Sequence, residues 1–166
     1  MYSRVSFETV IRGHLVYKQS WKPEINQILH CEEDKRAEAK EYDTNAIGVY
    51  VTHERPDAEN TLAGHVPIEL SRLLTFLQAN ADNLLTAIVT EKRKRDVGLI
   101  VPAKFAAFTQ ELKKAKILKR ELSKRGSIYT HFELKNITID ENKFPLVGWN
   151  RVAAITVYFL SSYGNT

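Results

Sequence analysis

Apolar and polar residues alternate along much of this chain with a period of two, and twice the period changes to that of a helix. From Arg4 to Tyr17, the residues Val5, Phe7, Thr9, Val10, Ile11 and Val16 predict one strand, bent at Gly13 where a missing side chain lets the backbone kink. Ile25 to Cys31 predicts a second strand, followed by a charged, helix-tolerant loop from Glu32 to Lys40. Ala46 to Thr52 predicts a third, and the polar connection His53 to Asn60 leads to a fourth at Thr61 to Val66. Pro67 suits the first turn of a helix, where its missing N–H costs nothing, and Leu70, Leu73, Leu74 and Leu77 then fall on one helical face.

Asn83 to Thr90 and Gly98 to Phe108 read as two further strands, joined by the basic turn Glu91 to Asp96. Thr109 is placed to cap a second helix reaching about Lys124, with Leu112, Ala115, Leu118 and Leu122 inward and Gly126 ending it. His131 to Ile139 and Arg151 to Leu160 predict strands around a loop containing Pro145 and Gly148. Strands with single interspersed helices lack the regular alternation of a parallel sheet, so the pattern predicts an α+β chain built on a small, strongly bent β-barrel. Residues 1–108 would form its core domain and 109–166 an extension of basic helix and two strands packing on it.

Composition narrows the class. With 166 residues, 43% hydrophobic and 27% charged, the chain can bury one core and is too polar for a membrane protein. Its longest apolar run, Val152 to Leu160, has strand length, well short of the roughly 20 residues a bilayer span needs. Met1 to Phe7 lacks the charged-then-apolar layout of a signal peptide, which predicts an intracellular protein, nuclear in a eukaryote. Cys31 has no second cysteine to pair with and reads as a small buried hydrophobe. The net charge of +4 is unevenly spread: acids dominate between His30 and Glu69, bases at Lys92 to Arg95 and Lys113 to Arg125. Such basic runs are either a face for a polyanion or plain solvated surface.

Catalytic patterns are absent from the sequence. It holds no glycine-rich phosphate loop and no GxSxG elbow, and His14, His30, His53, His65 and His131 have no partners at metal-ligand spacing. Nothing in it asks for a cofactor, and a chain without catalysis of its own is expected.

The stretch Glu41 to Val49, EYDTNAIGV, concentrates the remaining chemistry. Tyr42 offers a face for stacking, Asp43 a charged acceptor and Asn45 both donor and acceptor, ahead of a core-anchoring Ala46, Ile47 and Val49. The plainer alternative is a side-chain-to-backbone turn with a half-buried tyrosine beside it.

IRGHLVY at Ile11 to Tyr17, Trp21 and Pro23, the acidic Glu32-Glu33-Asp34, EYDTNAIGV, and AGHVPIELSRLL at Ala63 to Leu74 stand in the order and rough spacing of one family. Over Val5 to about Phe108 the chain resembles the HIRAN domain, the module at the N-terminus of fork-remodelling translocases and in some small stand-alone proteins. The resemblance implies a modified OB-like barrel whose groove takes single-stranded DNA, in the best-understood members its free 3′-hydroxyl end. By position, Tyr42 resembles the aromatic on which a terminal base stacks and Asp43 the acceptor of the 3′-hydroxyl. His65, at the family's glycine–histidine, would donate to a phosphate or base, or else be a core histidine.

Where the family carries an arginine and paired tyrosines, this chain has Gln19, Ser20 and Trp21, which makes Trp21 either a second stacking platform or a lid on the core. Ile68 replaces an expected basic residue, and Lys18, Lys22, Arg93 and Lys104 are the candidates to supply that charge. The expected partner is therefore single-stranded DNA or a DNA 3′ end, with no membrane partner. The alternative is an adaptor that has retuned its groove and uses the extension to hold another protein.

Overall fold

The computed structural model describes residues 2–17, 19, 21–51, 61–78, 83–96, 98–128 and 133–142. Strand β1 (Tyr2–Ile11) leads into a single helical turn, α1 (His14–Tyr17), and then β2 (Ile28–Glu33), α2 (Ala37–Tyr42), β3 (Ile47–Val51) and β4 (Thr61–His65). Helix α3 (Ile68–Gln78) precedes β5 (Leu84–Val89), β6 (Lys94–Asp96) and β7 (Gly98–Thr109), and α4 (Leu112–Ile128) and β8 (Lys135–Asn142) complete the described chain. The strands form one antiparallel sheet in the order β4-β3-β2-β5-β7-β1-β8, with β6 paired to β7.

The period-two pattern explains which face is inside. Val5, Phe7 and Ile11 of β1, Leu29 and Cys31 of β2, Ile47 and Val49 of β3, and Val101, Ala103 and Phe105 of β7 all point into one core. Phe7 and Phe105 oppose each other in register, and their rings stack with centroids 5.5 Å apart. Leu70 and Leu74 of α3 and Ala115, Leu118 and Leu122 of α4 close that core, so α4 is built into the same packed interior as the strands. Strand β8 pairs with β1 and sets Ile137 and Ile139 against it.

The barrel expected from the sequence is not closed. A strand has two edges, and those of β1 are taken by β7 along its length and by β8 between Tyr2 and Glu8. What remains for β4 is one isolated bridge past the end of β1, where Arg12 and His65 exchange backbone hydrogen bonds of 2.9 and 2.8 Å. The single bent strand expected to reach Tyr17 also stops short. Gly13 has φ +79°, a left-handed conformation that costs a glycine little, and the chain turns there from β1 into α1.

Several boundaries moved for local reasons. Strand β2 begins at Ile28, because a turn closed by the Gln27 amide on the Glu24 carbonyl at 3.0 Å, with Asn26 at φ +70°, precedes it. Thr109 ends β7 instead of capping α4, and its hydroxyl accepts the Glu111 amide at 3.3 Å. Helix α4 runs through Gly126 to Ile128, since packing against Leu134 holds that last turn. The basic turn contains β6, and β8 starts later than the expected His131 to Ile139. The predicted connection His53 to Asn60, the strand Arg151 to Leu160 and its loop lie outside the described residues.

Candidate nucleic-acid interface

Between β2 and β3 the chain makes an excursion pinched at its base, where the Asp34 amide donates to the Ala46 carbonyl at 2.9 Å. The expected loop carries the short helix α2, and Tyr42 is its last residue. The helix stops because Asp43 leaves helical geometry while its amide still donates to Ala39 at 2.9 Å. Asp43 Oδ1 then accepts the Asn45 amide at 2.9 Å, and the Ala46 amide donates to the Asp43 carbonyl at 3.0 Å. That is an Asx turn, which holds the carboxylate in one orientation. Its other oxygen, Oδ2, makes no hydrogen bond to the described residues. Next to it Tyr42 stands 86% exposed, with its ring open to a stacking partner. Asn45 is half-buried and structural through its carbonyl, which accepts the Thr75 hydroxyl at 3.3 Å.

Asp34, at the base of the excursion, is fully buried and collects four donors. The Arg36 guanidinium grips it with Nε on Oδ1 at 3.0 Å and Nη2 on Oδ2 at 2.9 Å, and the Arg36 amide reaches Oδ1 at 3.2 Å. His65 Nε2 lies 2.7 Å from Oδ2. Burial by itself would raise the Asp34 pKa, but the bonds from Arg36 and His65 outweigh it and bring it down to about 2. An ionised Asp34 can only accept, so His65 donates from Nε2 and leaves Nδ1 near Gly13. Arg36 Nη2 also donates to the Tyr17 hydroxyl at 3.0 Å, and the Tyr17 ring sits 6.1 Å from the His65 ring. One buried carboxylate thus ties α1, the start of the α2 excursion and the end of β4 together.

Close backbone approach makes this possible. At Gly64 a Cβ would stand 2.4 Å from the Arg12 carbonyl oxygen, so only glycine lets β4 reach the Arg12–His65 bridge. On the outer face of β3 the Tyr50 ring covers Gly48 and stacks on His30 at 5.5 Å. Burial, then the charges of Asp34 and Glu32, push the Tyr50 hydroxyl up to about 12, which keeps it neutral. An open depression of about 620 Å³ is lined by Glu32, Glu33, Asp34, Lys35, Arg36 and Tyr50. Its three acids make it a poor channel for phosphates, whereas the Tyr42–Asp43 side of the excursion bears an open aromatic face.

The structure brings Tyr42, Asp43, Asn45 and His65 around this pinch and sends other candidates elsewhere. Trp21 is a core residue, 5% exposed, with Nε1 donating to Gln27 Oε1 at 2.9 Å and its ring edge-on to His14 at 5.2 Å. It has no face for a base, and of its two readings the lid is correct. Lys104 is half-buried on β7, in register with Glu8 and Ile88, away from the excursion. Lys22 and Arg93 are exposed, and the Arg93 charge is felt at His14 on α1. Lys18 lies outside the described residues. Burial pushes the Cys31 thiol well above its ordinary range, as fits a core hydrophobe. Sequence reading missed Tyr17, Asp34 and Arg36 as site residues. The Asp-x-Arg spacing is a usable signal for the local grip, but nothing local announces Tyr17.

An open antiparallel sheet with a pinched β2–β3 excursion and a histidine at the end of β4 defines a HIRAN-like fold. The crystal structure of the HIRAN domain of human HLTF superposes with a TM-score of 0.54 at 19% identity, covering 75% of this chain and 93% of that one. The NMR structure of the HLTF HIRAN domain in its DNA-bound conformation gives 0.50 at 19% identity, covering 73% of this chain and 88% of that one. No family model matches the chain, and no curated protein matches it by sequence. Among the described residues no helix is long and apolar enough to cross a membrane.

Proposed function

We propose that this chain binds single-stranded DNA at the surface formed by α2 and the turn after it, takes a free 3′-hydroxyl end at Asp43, and has no catalysis of its own. The observation that carries the reading is the Asp43 carboxylate, which spends one oxygen on its own turn and leaves the other open beside an exposed tyrosine. A carboxylate repels phosphate, so an ordered one next to a stacking face suits a hydroxyl where the next phosphate would be. The terminal base lies on Tyr42, contributing on the order of 1–3 kcal/mol without reading sequence. The hydroxyl donates to Asp43 Oδ2, a bond to a charged group of about 1.5–3 kcal/mol. The fold of a domain solved in a DNA-bound conformation supports DNA as the partner class.

The test compares matched oligonucleotides ending in 3′-hydroxyl and 3′-phosphate. A strong preference for the hydroxyl that Asp43→Ala erases supports the reading, with thermal stability recorded alongside because the variant also loses the Asx turn. Equal affinity of the unmutated protein for both ends rejects end recognition at Asp43. The adaptor reading has the burial of Trp21 in its favour, since one of two stacking platforms is gone, and a complete lack of single-strand binding at low salt would reject the single-strand reading.

A further inference from the structure

Helix α4 carries five lysines and two arginines against the single acid Glu121, a net charge of +6 in 17 residues, whereas the whole chain carries +4. Its inward face is committed, because Ala115, Leu118 and Leu122 are fully buried in the core. Its outward face sets Lys113, Lys116, Arg120 and Lys124 in one row at spacings of three and four residues. Lys113 and Lys116 are exposed and make no ion pair with the described residues, and the Arg120 side chain is 65% exposed. At about 1.5 Å of rise per residue the row spans about 16 Å, the length of about five base pairs.

The helix also leads to the candidate site. Arg125 Nε in its last turn donates to the Glu69 carbonyl at 3.2 Å. The Glu69 carboxylate accepts Arg12 Nη1 at 3.0 and 2.7 Å, and Arg12 bridges to His65. Resting on the single-strand reading above, we propose that the outward face of α4 docks the phosphate backbone of a duplex adjoining the single-stranded end, so that the chain recognises a duplex with a 3′ overhang. No aromatic residue lies in α4, so it cannot hold unpaired bases by stacking, and bare cationic contact to phosphates is how a duplex backbone is gripped. An anionic membrane fits less well, since the apolar face such a helix would insert is already used in the core.

The experiment measures affinity and its salt dependence for a short single strand and for the same strand as the 3′ overhang of a ten-base-pair hairpin. Three substitutions on exposed positions, Lys113→Gln, Lys116→Gln and Arg120→Gln, are combined in one variant. The unmutated protein is expected to prefer the overhang hairpin, with a slope steeper by up to about 2.7, which is about 40-fold more affinity lost between 50 and 200 mM salt than the variant loses. The variant is expected to fall to single-strand affinity and to bind the plain single strand as before. No preference for the hairpin, or equal weakening of both ligands, overturns the proposal, as does variant-sensitive binding to vesicles of anionic lipid without any to the hairpin. If the single strand never binds while the hairpin still binds through α4, the single-strand reading fails and the duplex surface stands.

Discussion

His65 Nε2 and Asp34 Oδ2 lie 2.7 Å apart, although 31 positions separate them in sequence, and this contact joins the end of β4 to the base of the α2 excursion. Arg36 completes the charge balance of the buried Asp34 and passes the connection to Tyr17. A buried carboxylate with donors on both oxygens organises its surroundings strongly, because any withdrawn donor leaves charge unpaired in the interior. The position of Tyr42 and Asp43 therefore depends on a residue that touches no ligand in the proposed mode.

Acid should weaken this protein through Asp34 in a defined window. Its folded pKa of about 2 lies below the ordinary 3.8, so the stabilisation is fully present above pH 4 and disappears as pH falls toward 2. The shift corresponds to ~2 kcal/mol. Urea titrations between pH 5 and pH 2 are expected to show this loss in the unmutated protein. Asp34→Asn should be less stable at neutral pH and lack that part of the pH dependence.

His14 should act in a higher window. It is fully buried, and burial, then the charge of Arg93, lowers its pKa against a smaller opposing pull from the Ala63 backbone. The unfolded chain takes up the proton first, so stability should fall as pH drops below about 6.5. Burial lowers the pKa of His30 too, with the same sign. His14→Phe should flatten the stability profile between pH 7 and pH 5 by the His14 share, read as a smaller drop in melting temperature across that range.

Tyr42→Ala should separate binding from folding. With the side chain 86% exposed, its removal is expected to leave the melting temperature unchanged while weakening single-strand binding by about 1–3 kcal/mol. Hydroxyl and phosphate ends should lose affinity alike, because stacking reads neither.

Gly64→Ala should damage the β1–β4 bridge. The new Cβ would stand 2.4 Å from the Arg12 carbonyl oxygen and 2.7 Å from Ile11 Cγ2, and the backbone cannot yield without breaking the pairing. The expected destabilisation is about 1–3 kcal/mol. Hydrogen exchange at the Arg12 and His65 amides should speed up more than at the centre of β7.

The elements most legible in the sequence were those whose signal is local and periodic. Alternation located β3, β4, β5 and β7 to within a residue or two, and the leucine spacing identified α3 and the inward face of α4, because pleat and helical period act over neighbouring residues. The EYDTNAIGV run was enough to mark Tyr42 and Asp43, since an Asx turn is a contact between residues two apart. Tertiary structure alone decided the rest. Short helices such as α1 and α2 are too brief to be stable by propensity and form where their ends are held, at Gly13 and at the Asp34–Ala46 pinch. Whether Trp21 is a platform or a core lid turned on His14 and Gln27, and the open sheet on β8 taking the edge of β1 that a barrel would need. The Asp34–Arg36–His65–Tyr17 network and the path from α4 through Glu69 and Arg12 to His65 are contacts between segments far apart in sequence, and sequence periodicity carries no information about which distant segments meet.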